Sequence, residues 1–366
     1  MKTFRKYRIY PIEILYLILI SLAVFLAPLL FGLAKDALFQ SSLHMKKIME
    51  FDIDEKTPNK KGFLIKDKLM IQSGETLFCY GPDGKQEWTR PLKSANTNII
   101  KWNDNYVISD LSSGRLALVD DNNNIVAENT VKGKITDIAV SRENIYLLLD
   151  NENKLIIMNA ALEPTGQIEH KHGDVIRIAC DFESSELILY TSSIESGELK
   201  TFCIVYDNKG NIIASLDLNG ALIFDIYVED NIVMISDQSF LVFNRLVRPL
   251  AEFAYSTGIT DTDFKNAKLY VISNASEGNV GEKELKVYDS SLNQVNITKL
   301  PETAAKVAAG EKYLISASDQ RISVMDSNLK ILQEINLKGE ISELKWMSED
   351  SFYIVGNNKL IIYANK

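Results

Sequence analysis

The chain ends with the stretch LIIYANK, residues 360–366, and the strand that pairs with this stretch determines the architecture. Leu360 to Tyr363 form an apolar run that is typical of a β-strand bounded by polar residues. A strand left at the edge of a sheet exposes unpaired N–H and C=O groups, which natural proteins avoid. We therefore expect another strand of the chain to pair with it.

The pattern of this stretch, an apolar run followed within a few residues by Asp or Asn, occurs eight times along the chain. The last apolar residues of the eight runs are Tyr80, Val119, Met158, Tyr206, Phe243, Tyr288, Met325 and Tyr363. Successive intervals are 39, 39, 48, 37, 45, 37 and 38 residues, the period of a four-stranded propeller blade. We predict an all-β fold, a β-propeller of eight four-stranded blades. A seven-bladed ring and an open β solenoid are the alternatives.

The last of the eight units lacks a fourth strand. The outer strand of the unit before it is ILQEINL, residues 331–337, and residues 47–53, KIMEFDI, share its pattern of apolar and polar positions. We predict that residues 47–53 supply the missing outer strand and pair with residues 360–363. This pairing closes the ring and removes the free edge.

One strongly apolar segment precedes the repeats. Residues 14–34 contain 21 residues and no charge, which corresponds to ~31 Å of helix and is enough to cross a bilayer. We predict a basic cytoplasmic segment at residues 1–9 and a transmembrane helix at residues 10–34. The alternative is a cleaved signal peptide, whose apolar region is usually only about 7–15 residues long. Four basic residues precede the segment, so the positive-inside rule leaves the N-terminus in the cytoplasm and the propeller outside, on a single-pass cell-membrane protein.

The predicted orientation follows from this connection. Residues 35–46 form a juxtamembrane linker and residues 47–366 the propeller. We call the top face the one that carries the loops between successive blades, where each outer strand ends. The linker then joins the bottom rim, and the bottom face looks toward the bilayer. The expected partners are the lipid bilayer, through residues 14–34, and an envelope or membrane protein.

Net charge argues against nucleic acid as a partner. The chain carries −9, and its first 34 residues hold four basic side chains against one acidic, so the remainder carries −12. An acidic domain is repelled by phosphate backbones.

The three cysteines, Cys79, Cys180 and Cys203, lie in apolar strand-like runs without C-x-x-C spacing. We expect small buried hydrophobic residues. Cys180 falls in the first strand and Cys203 in the third strand of the fourth blade, about 9.6 Å apart. A disulfide needs Cα atoms within about 7 Å, so both thiols should stay reduced.

Two units are longer than the others, with extra residues between their second and third strands at 192–199 and 274–284. Such loops lie on the top face, and insertions into loops often add binding sites, although drift in solvated hairpin tips explains them equally well. The candidate partner-binding residues are Ser193, Glu195, Glu198, Glu277, Asn279 and Glu282. Both loops are acidic, which favours a basic partner or simply improves solubility.

The sequence patterns that would indicate a metal site or a catalytic site are incomplete. His170 and His172 could share one face of a strand, but without a full ligand set we interpret them as exposed polar residues. The stretch at 120–124 begins like a calcium loop, yet Ile125 and Val131 stand where Gly and Glu are required, so we predict a hairpin turn. The carboxylates are assigned to turns or solvent-facing positions. We therefore predict no catalytic residue, no metal and no cofactor.

The stretch GETLFCYGPDGKQEW, residues 74–88, resembles a repeat of the quinoprotein-like propellers. That pattern has an aromatic residue, then Asp-x-x-x-Gly and a nearby Trp. Gly81 stands where Asp is usual, and Trp88 is the only Trp at its position in any unit, so the resemblance implies the fold and not the cofactor chemistry. The whole plan is similar to a family of uncharacterised Gram-positive bacterial proteins with one N-terminal span and a propeller ectodomain, which has no assigned function.

These observations favour a non-enzymatic, membrane-anchored propeller that acts outside the cell as a binding or scaffold module for a protein or an envelope component. The alternative is an extracellular enzyme, a lyase or hydrolase that uses carboxylates in the central channel. A third hypothesis is a structural adaptor that recruits membrane partners through its span.

Overall fold

The computed structural model describes residues 43–52, 60–66, 68–81, 85–94, 96–150, 154–170, 173–255, 258–275, 282–356 and 359–365. The chain divides into two compact units, residues 1–45 with 365–366, and residues 46–364. In the first unit, the backbone N–H of His44 donates to Asn365 Oδ1 at 2.9 Å. Among the described residues no helix is long and apolar enough to cross a membrane, and the segment predicted to do so, 14–34, lies outside them.

The second unit is built from strands arranged in eight sheets. Blade 1 contains β2 (Lys60–Ile65), β3 (Lys68–Ser73), β4 (Thr76–Tyr80) and β5 (Gln86–Pro91), and blade 2 contains β6 (Thr97–Trp102), β7 (Asn105–Asp110), β8 (Arg115–Val119) and β9 (Ile125–Thr130). Blade 3 contains β10 (Ile135–Val140), β11 (Ile145–Leu149), β12 (Lys154–Met158) and β13 (Pro164–Glu169), and blade 4 contains β14 (Asp174–Cys180), β15 (Leu187–Glu195), β16 (Glu198–Tyr206) and β17 (Ile212–Asp217). Blade 5 contains β18 (Ile223–Val228), β19 (Ile232–Ser236), β20 (Ser239–Phe243) and β21 (Pro249–Ala254), and blade 6 contains β22 (Ile259–Lys265), β23 (Lys268–Asn274), β24 (Lys283–Tyr288) and β25 (Gln294–Leu300). Blade 7 contains β26 (Ala304–Ala309), β27 (Leu314–Ser318), β28 (Arg321–Met325) and β29 (Ile331–Asn336), and blade 8 contains β30 (Ile341–Ser348), β31 (Ser351–Gly356), β32 (Lys359–Asn365) and β1 (Met45–Asp52).

Blade 8 contains the terminal strand and the strand that pairs with it. Its strand order is β30, β31, β32 and β1, so the strand near the start of the described chain pairs with the strand at its end. The Lys359 ammonium forms an ion pair with the Glu50 carboxylate across this pairing. Hydrogen bonds from Lys359 and Lys47 lower the pKa of Glu50 to about 2. The predicted eight-bladed propeller and its closure are confirmed, and the seven-bladed and solenoid alternatives are wrong.

The Asp or Asn of the repeat caps the turn into the outer strand. Asp207 Oδ1 accepts hydrogen bonds from the backbone N–H groups of Lys209 at 2.9 Å and Asn211 at 2.8 Å. The same two bonds recur at Asp120, Asn159, Asn244, Asp289 and Asp326. The motif is therefore a local turn device that satisfies backbone groups with a side chain.

The outer strands of blades 1 to 7 then begin with a β-bulge. In blade 4, Val205 and Tyr206 pair with Ala214 and Ile212, which leaves Ile213 as the extra residue. The equivalent bulged residues of the other six blades with this irregularity are Glu87, Val126, Thr165, Leu250, Val295 and Leu332. Bulges twist an edge and hinder pairing with another chain, which suits strands at the outer rim of a propeller.

The core lies in layers between adjacent blades. Between blades 3 and 4, for example, Tyr146 and Leu148 pack with Leu187 and Leu189. Every residue of β11 is buried because the second strand of a blade is covered on both faces by neighbouring sheets. This position explains why second strands are continuous apolar runs without alternation. The layer between blades 8 and 1 contains Leu360 and completes the ring.

The cysteines occupy the strands predicted for them. Cys180 lies on β14 and Cys203 on β16, with β15 between them, and all three thiols of the chain are free. Cys79 and Cys203 are fully buried, and burial raises the pKa of Cys203 to about 12. Cys180, by contrast, is only partly buried.

We expect Cys79 and Cys203 to resist a maleimide at pH 7.4 in the folded chain and to react after unfolding in urea, because reaction needs an accessible thiolate. Mass spectrometry of the labelled peptides measures both states, with Cys180 as the internal comparison. A Cys180–Cys203 crosslink in a non-reduced digest would contradict the strand assignment.

Candidate functional site

The first strands of the blades surround a central channel. The first strands of neighbouring blades contact one another at six of the interfaces, including β22 with β26 and β26 with β30. The first strands of blades 6, 7 and 8 line a cavity of about 610 Å³. Its lining includes Asp261, Asp263, Lys306, Glu343, Lys345 and Trp346. We call this cavity the channel pocket.

A repeated bulge places charge in the channel. Near the start of six first strands the pairing with the second strand skips one residue, as between Ile135 and Asp137. The residue that follows the bulge is charged in all six, namely Asp137, Arg177, Asp225, Asp261, Lys306 and Glu343. The skipped residues Ile176 and Phe224 are 50% and 57% exposed. The first strands of blades 3 to 8 therefore carry four acidic and two basic side chains directly after the bulge, together with two exposed apolar groups.

Two of these strands, β10 and β22, use three carboxylates to join neighbouring blades. Asp137 Oδ2 accepts a hydrogen bond from the Ile178 backbone N–H at 3.0 Å, which ties blade 3 to blade 4. Blade 6 is tied to blade 7 in the same way, because Asp261 and Asp263 accept from the N–H groups of Val307 at 2.8 Å and Ala309 at 2.7 Å. The expectation that the carboxylates lie only in turns or solvent-facing positions is wrong. The bulge turns residues that look solvent-facing in a regular strand toward the neighbouring blade.

The carboxylates that join the blades have raised pKa values. Burial raises the pKa of Asp137, Asp261 and Asp263 above the ordinary aspartate value, against the opposing effect of their backbone hydrogen bonds. The negative charge of Asp261 further raises the pKa of Asp263. Raised carboxyl pKa values occur at catalytic sites and at structural networks alike.

The remaining charges of the channel pocket are paired. Lys306 lies 3.2 Å from Asp261, and Lys345 lies 3.1 Å from Glu343. The Tyr353 hydroxyl donates to Glu343 Oε1 at 2.8 Å, whereas Glu343 Oε2 is buried without a hydrogen-bond partner among the described residues. The pocket is thus a mixed-charge site with one unused acceptor.

Trp346 forms an aromatic wall of the pocket. Its indole N–H donates to the Ala308 carbonyl at 3.1 Å, and its ring lies against Gly310. A Cβ at Gly310 would lie 3.0 Å from the ring, which is tighter than most Cβ contacts, so glycine favours this close approach.

We expect the variant Asp263→Asn to change the pH dependence of stability. Because the folded-state pKa of Asp263 is raised, the folded state holds its proton more tightly, and stability falls as the pH rises above roughly 4 through that pKa. The variant lacks this loss, so its melting temperature relative to wild type should increase between pH 4 and pH 7. Asp207→Asn is the control, at an exposed turn whose hydrogen bonds lower the pKa of Asp207. A lowered pKa affects stability mainly below about pH 4, so the melting temperature of this variant relative to wild type should stay nearly constant between pH 4 and pH 7. A difference that is constant with pH would contradict the shift at Asp263.

The predicted loop at 192–199 is a strand extension and not an irregular loop. Strands β15 and β16 have nine residues each, and only Ser196 and Gly197 form the turn, with φ values of 54° and 85°. Glu195 and Glu198 are therefore directly opposite each other, and Ser193 donates from its hydroxyl to Glu195 at 3.2 Å. Sequence reasoning missed Ile194, which is 79% exposed at the tip.

The second predicted loop is only partly described. Glu282 lies just before β24 and pairs with Lys299 at 3.0 Å. Glu277 and Asn279 lie outside the described residues. The insertion does fall between the second and third strands of blade 6, as predicted.

Histidine and the calcium-like stretch have structural roles. His170 is buried and lies 3.2 Å from the Tyr206 hydroxyl through Nδ1, so the interpretation of an exposed residue is wrong for His170, while His172 lies outside the described residues. Asp120 caps the turn at 120–124 by the bonds described above. Within the described part of the chain, no group of three or more His, Cys, Asp or Glu side chains could hold a metal ion.

Comparison with known proteins places the chain in a family. The model described as "Family of unknown function (DUF5711)" matches residues 42–363. The chain belongs to this family. No curated protein matches it in sequence.

Several solved structures of low sequence identity resemble this DUF5711 chain. BamB from Moraxella catarrhalis has a TM-score of 0.58 at 10% identity, over 88% of this chain and 100% of that one. Sqt1 from Saccharomyces cerevisiae has a TM-score of 0.64 at 8% identity, over 87% and 99%. The Dos1 propeller has a TM-score of 0.60 at 12% identity, over 88% and 96%. At these identities the likeness shows the fold alone.

Proposed function

We propose that this chain is a membrane-anchored propeller outside the cell that binds a protein or an envelope component and does not catalyse a reaction. The observation that carries the proposal is the use of the channel carboxylates. Asp137, Asp261 and Asp263 hold neighbouring blades through backbone N–H groups, and Glu343 is paired with Lys345. A carboxylate fixed in this way is a poor general base, because proton transfer would break a structural bond.

The anchor rests on the sequence. Residues 14–34 are long and apolar enough to span a bilayer, and the basic residues before them favour a cytoplasmic N-terminus. The likeness to propellers such as BamB is compatible with a protein-binding module.

The surface that we propose for the partner is the extended hairpin of blade 4, residues 192–199. Its tip exposes Ile194, and Leu199 is 40% exposed beside it. Ser193, Glu195 and Glu198 surround this apolar centre with polar groups. An apolar centre with a polar rim is the usual anatomy of a protein interface, and the acidic rim favours a basic partner.

The orientation is tested by Ser193→Cys. We expect this cysteine to react with a membrane-impermeant maleimide on intact cells, after any wall barrier is removed, because the hairpin faces outward. Thr3→Cys, in the basic segment, is the matched control and should react only after lysis. Labelling of Ser193→Cys only after lysis would reverse the topology.

The partner is tested by surface crosslinking from Ser193→Cys with a cysteine-reactive photocrosslinker. We expect a discrete crosslinked product that is lost on adding Ile194→Glu, because a charge at the apolar centre opposes desolvation. Leu332→Glu, at an exposed bulge of blade 7, should leave the product unchanged. Equal loss in both variants, or no product at all, would contradict a docking site at this hairpin.

The alternative of a lyase or hydrolase is supported by one observation. The channel pocket of about 610 Å³ is lined by Glu343, whose Oε2 is unused, and by two carboxyl groups with raised pKa values, Asp261 and Asp263. Cell-envelope polysaccharide incubated with the full chain would then yield new reducing ends or unsaturated products. A yield that Glu343→Gln abolishes would replace the binding proposal.

A further inference from the structure

A second cavity opens between blades 5 and 6, outside the channel. It has a volume of about 260 Å³. Its lining includes Phe240, Phe253, Tyr255, Val271, Ser273, Glu284, Lys286 and Tyr288. Ser273 lies near the end of β23 and Glu284 near the start of β24, so the cavity is close to the top face. We call it the aromatic pocket.

Four aromatic rings form one side of the aromatic pocket. Phe240 and Phe253 are stacked, with centroids 6.3 Å apart and planes at 11°. Tyr288 lies 5.1 Å from Phe253 and Tyr255 lies 4.9 Å from Phe240. Phe240 is 1% exposed, whereas Phe253 is 37% exposed. The rings therefore lead from the core to the surface, with Phe253 at the entrance.

Ser273 places a buried hydroxyl in this apolar wall. The residue is 4% exposed, and its Oγ has no hydrogen-bond partner among the described residues. A buried polar group without a partner is costly, so such groups are uncommon. The Ser273 hydroxyl is available to a ligand that enters the pocket.

The equivalent residues of other blades explain why the Ser273 hydroxyl has no partner. Ser236 of blade 5 and Ser318 of blade 7 occupy the same position in the second strand, and each bonds to the tight turn that follows. In blade 6 the hairpin is lengthened and that turn is absent at Ser273. Thr191 of blade 4, whose hairpin is also extended, is likewise buried with an unpartnered hydroxyl, but unlike Ser273 it does not line the aromatic pocket.

The charges at the aromatic pocket balance. Glu284 and Lys286 lie 3.3 Å apart, and each side chain is 19% exposed. A neutral ring suits such a site better than an ion does, because the local charges already neutralise each other. Aromatic rings pair well with other rings, and a polar tip on the incoming ring would reach the serine hydroxyl.

We propose that the aromatic pocket binds a phenol ring, as in a tyrosine side chain of a partner that docks on the top face. This inference rests on the proposed binding function and names the side chain that the partner inserts. Aromatic anchors in pockets commonly dominate binding energy at protein interfaces. Ring packing on Phe253 and Phe240 would supply affinity, and the hydrogen bond with Ser273 Oγ would select phenol over phenyl.

The test uses N-acetyl-tyrosinamide and N-acetyl-phenylalaninamide with the full chain in detergent micelles, followed by NMR or calorimetric titration. We expect saturable binding of the tyrosine compound, and binding of the phenylalanine compound that is about threefold to tenfold weaker, which is the value of one net hydrogen bond. Ser273→Ala should abolish this preference. The matched variant Thr191→Val, at the equivalent position of blade 4, should keep it.

A second pair of variants separates packing from folding. Phe253→Ala, at an exposed position, should weaken both compounds at least tenfold, whereas Leu250→Ala, 53% exposed on the same strand, should weaken neither. No saturable binding, or a preference that survives Ser273→Ala, overturns the inference. If surface crosslinking still depends on Ile194 while Ser273→Ala and Phe253→Ala leave it unchanged, the pocket inference fails and the proposed function stands.

Discussion

Deleting residues 360–366 is expected to convert a monodisperse propeller into aggregates. The deletion removes most of β32, which lies between β31 and β1 in blade 8. Both neighbours would then present unpaired backbone groups along a free edge, which is a template for pairing with other chains. Size-exclusion chromatography with light scattering measures the outcome directly.

The loss of buried side chains adds to the loss of pairing. Leu360 and Ile362 are 1% and 2% exposed in the layer between blades 8 and 1, and Tyr363, which is 5% exposed, stacks on Phe352 within blade 8. Truncating one large core side chain costs about 2–5 kcal/mol, and a whole domain is stable by only about 5–15 kcal/mol. The deletion should therefore unfold the blade 8–blade 1 closure as well as expose edges.

Lys359→Ala is the matched control for this deletion. It removes the ion pair with Glu50 across the same pairing but leaves β32 in place. Exposed ion pairs contribute little to stability, so this variant should remain monomeric with a nearly unchanged melting temperature. A truncated chain that behaves like Lys359→Ala would show that closure by β1 is not needed.

The blade count was predictable because each blade repeats a local device. The apolar run of the third strand is buried between sheets, and the Asp or Asn after it caps the turn into the outer strand, as at Asp207 and Asp289. Both features depend on residues close in sequence, so they can be recognised in a single amino-acid sequence. The pairing of β1 with β32 was predictable for a different reason. The last repeat unit lacked its fourth strand, and residues 47–53 formed a strand that belonged to no repeat unit.

The channel carboxylates were not predictable in the same way. In ITDI, residues 135–138, Asp137 looks like the polar position of an alternating strand. A bulge shifts the register at Ile135 and Asp137, and that shift depends on how the strand pairs with β11. The bond from Ile178 depends in addition on the next blade, which is distant in sequence.

Part of the hairpin structure at 192–199 could be predicted from the sequence. Ser196-Gly197 is a two-residue turn signal between possible strand residues, and it fixes Glu195 opposite Glu198. The burial of His170 was not readable, because it depends on Tyr206 in the neighbouring blade. Features that depend on contacts within one hairpin can be recognised in the sequence, whereas features that depend on contacts between blades cannot.

Asp137→Ala is expected to destabilise the propeller by about 1–3 kcal/mol, because it leaves the buried N–H of Ile178 without an acceptor. Asp225→Ala is the matched control, since Asp225 follows the same bulge in blade 5 and also accepts from the N–H of the next residue, Ile226 at 3.0 Å. No bond from a neighbouring blade to Asp225 is found in the described residues. The negative charge of Asp225 also raises the pKa of Asp261, so its removal relieves repulsion and should change stability little. Urea unfolding of the full chain, followed by tryptophan fluorescence, measures both variants. Equal destabilisation would show that the Asp137 carboxylate does not hold blades 3 and 4 together, and the main support for a structural role of the channel acids would be lost.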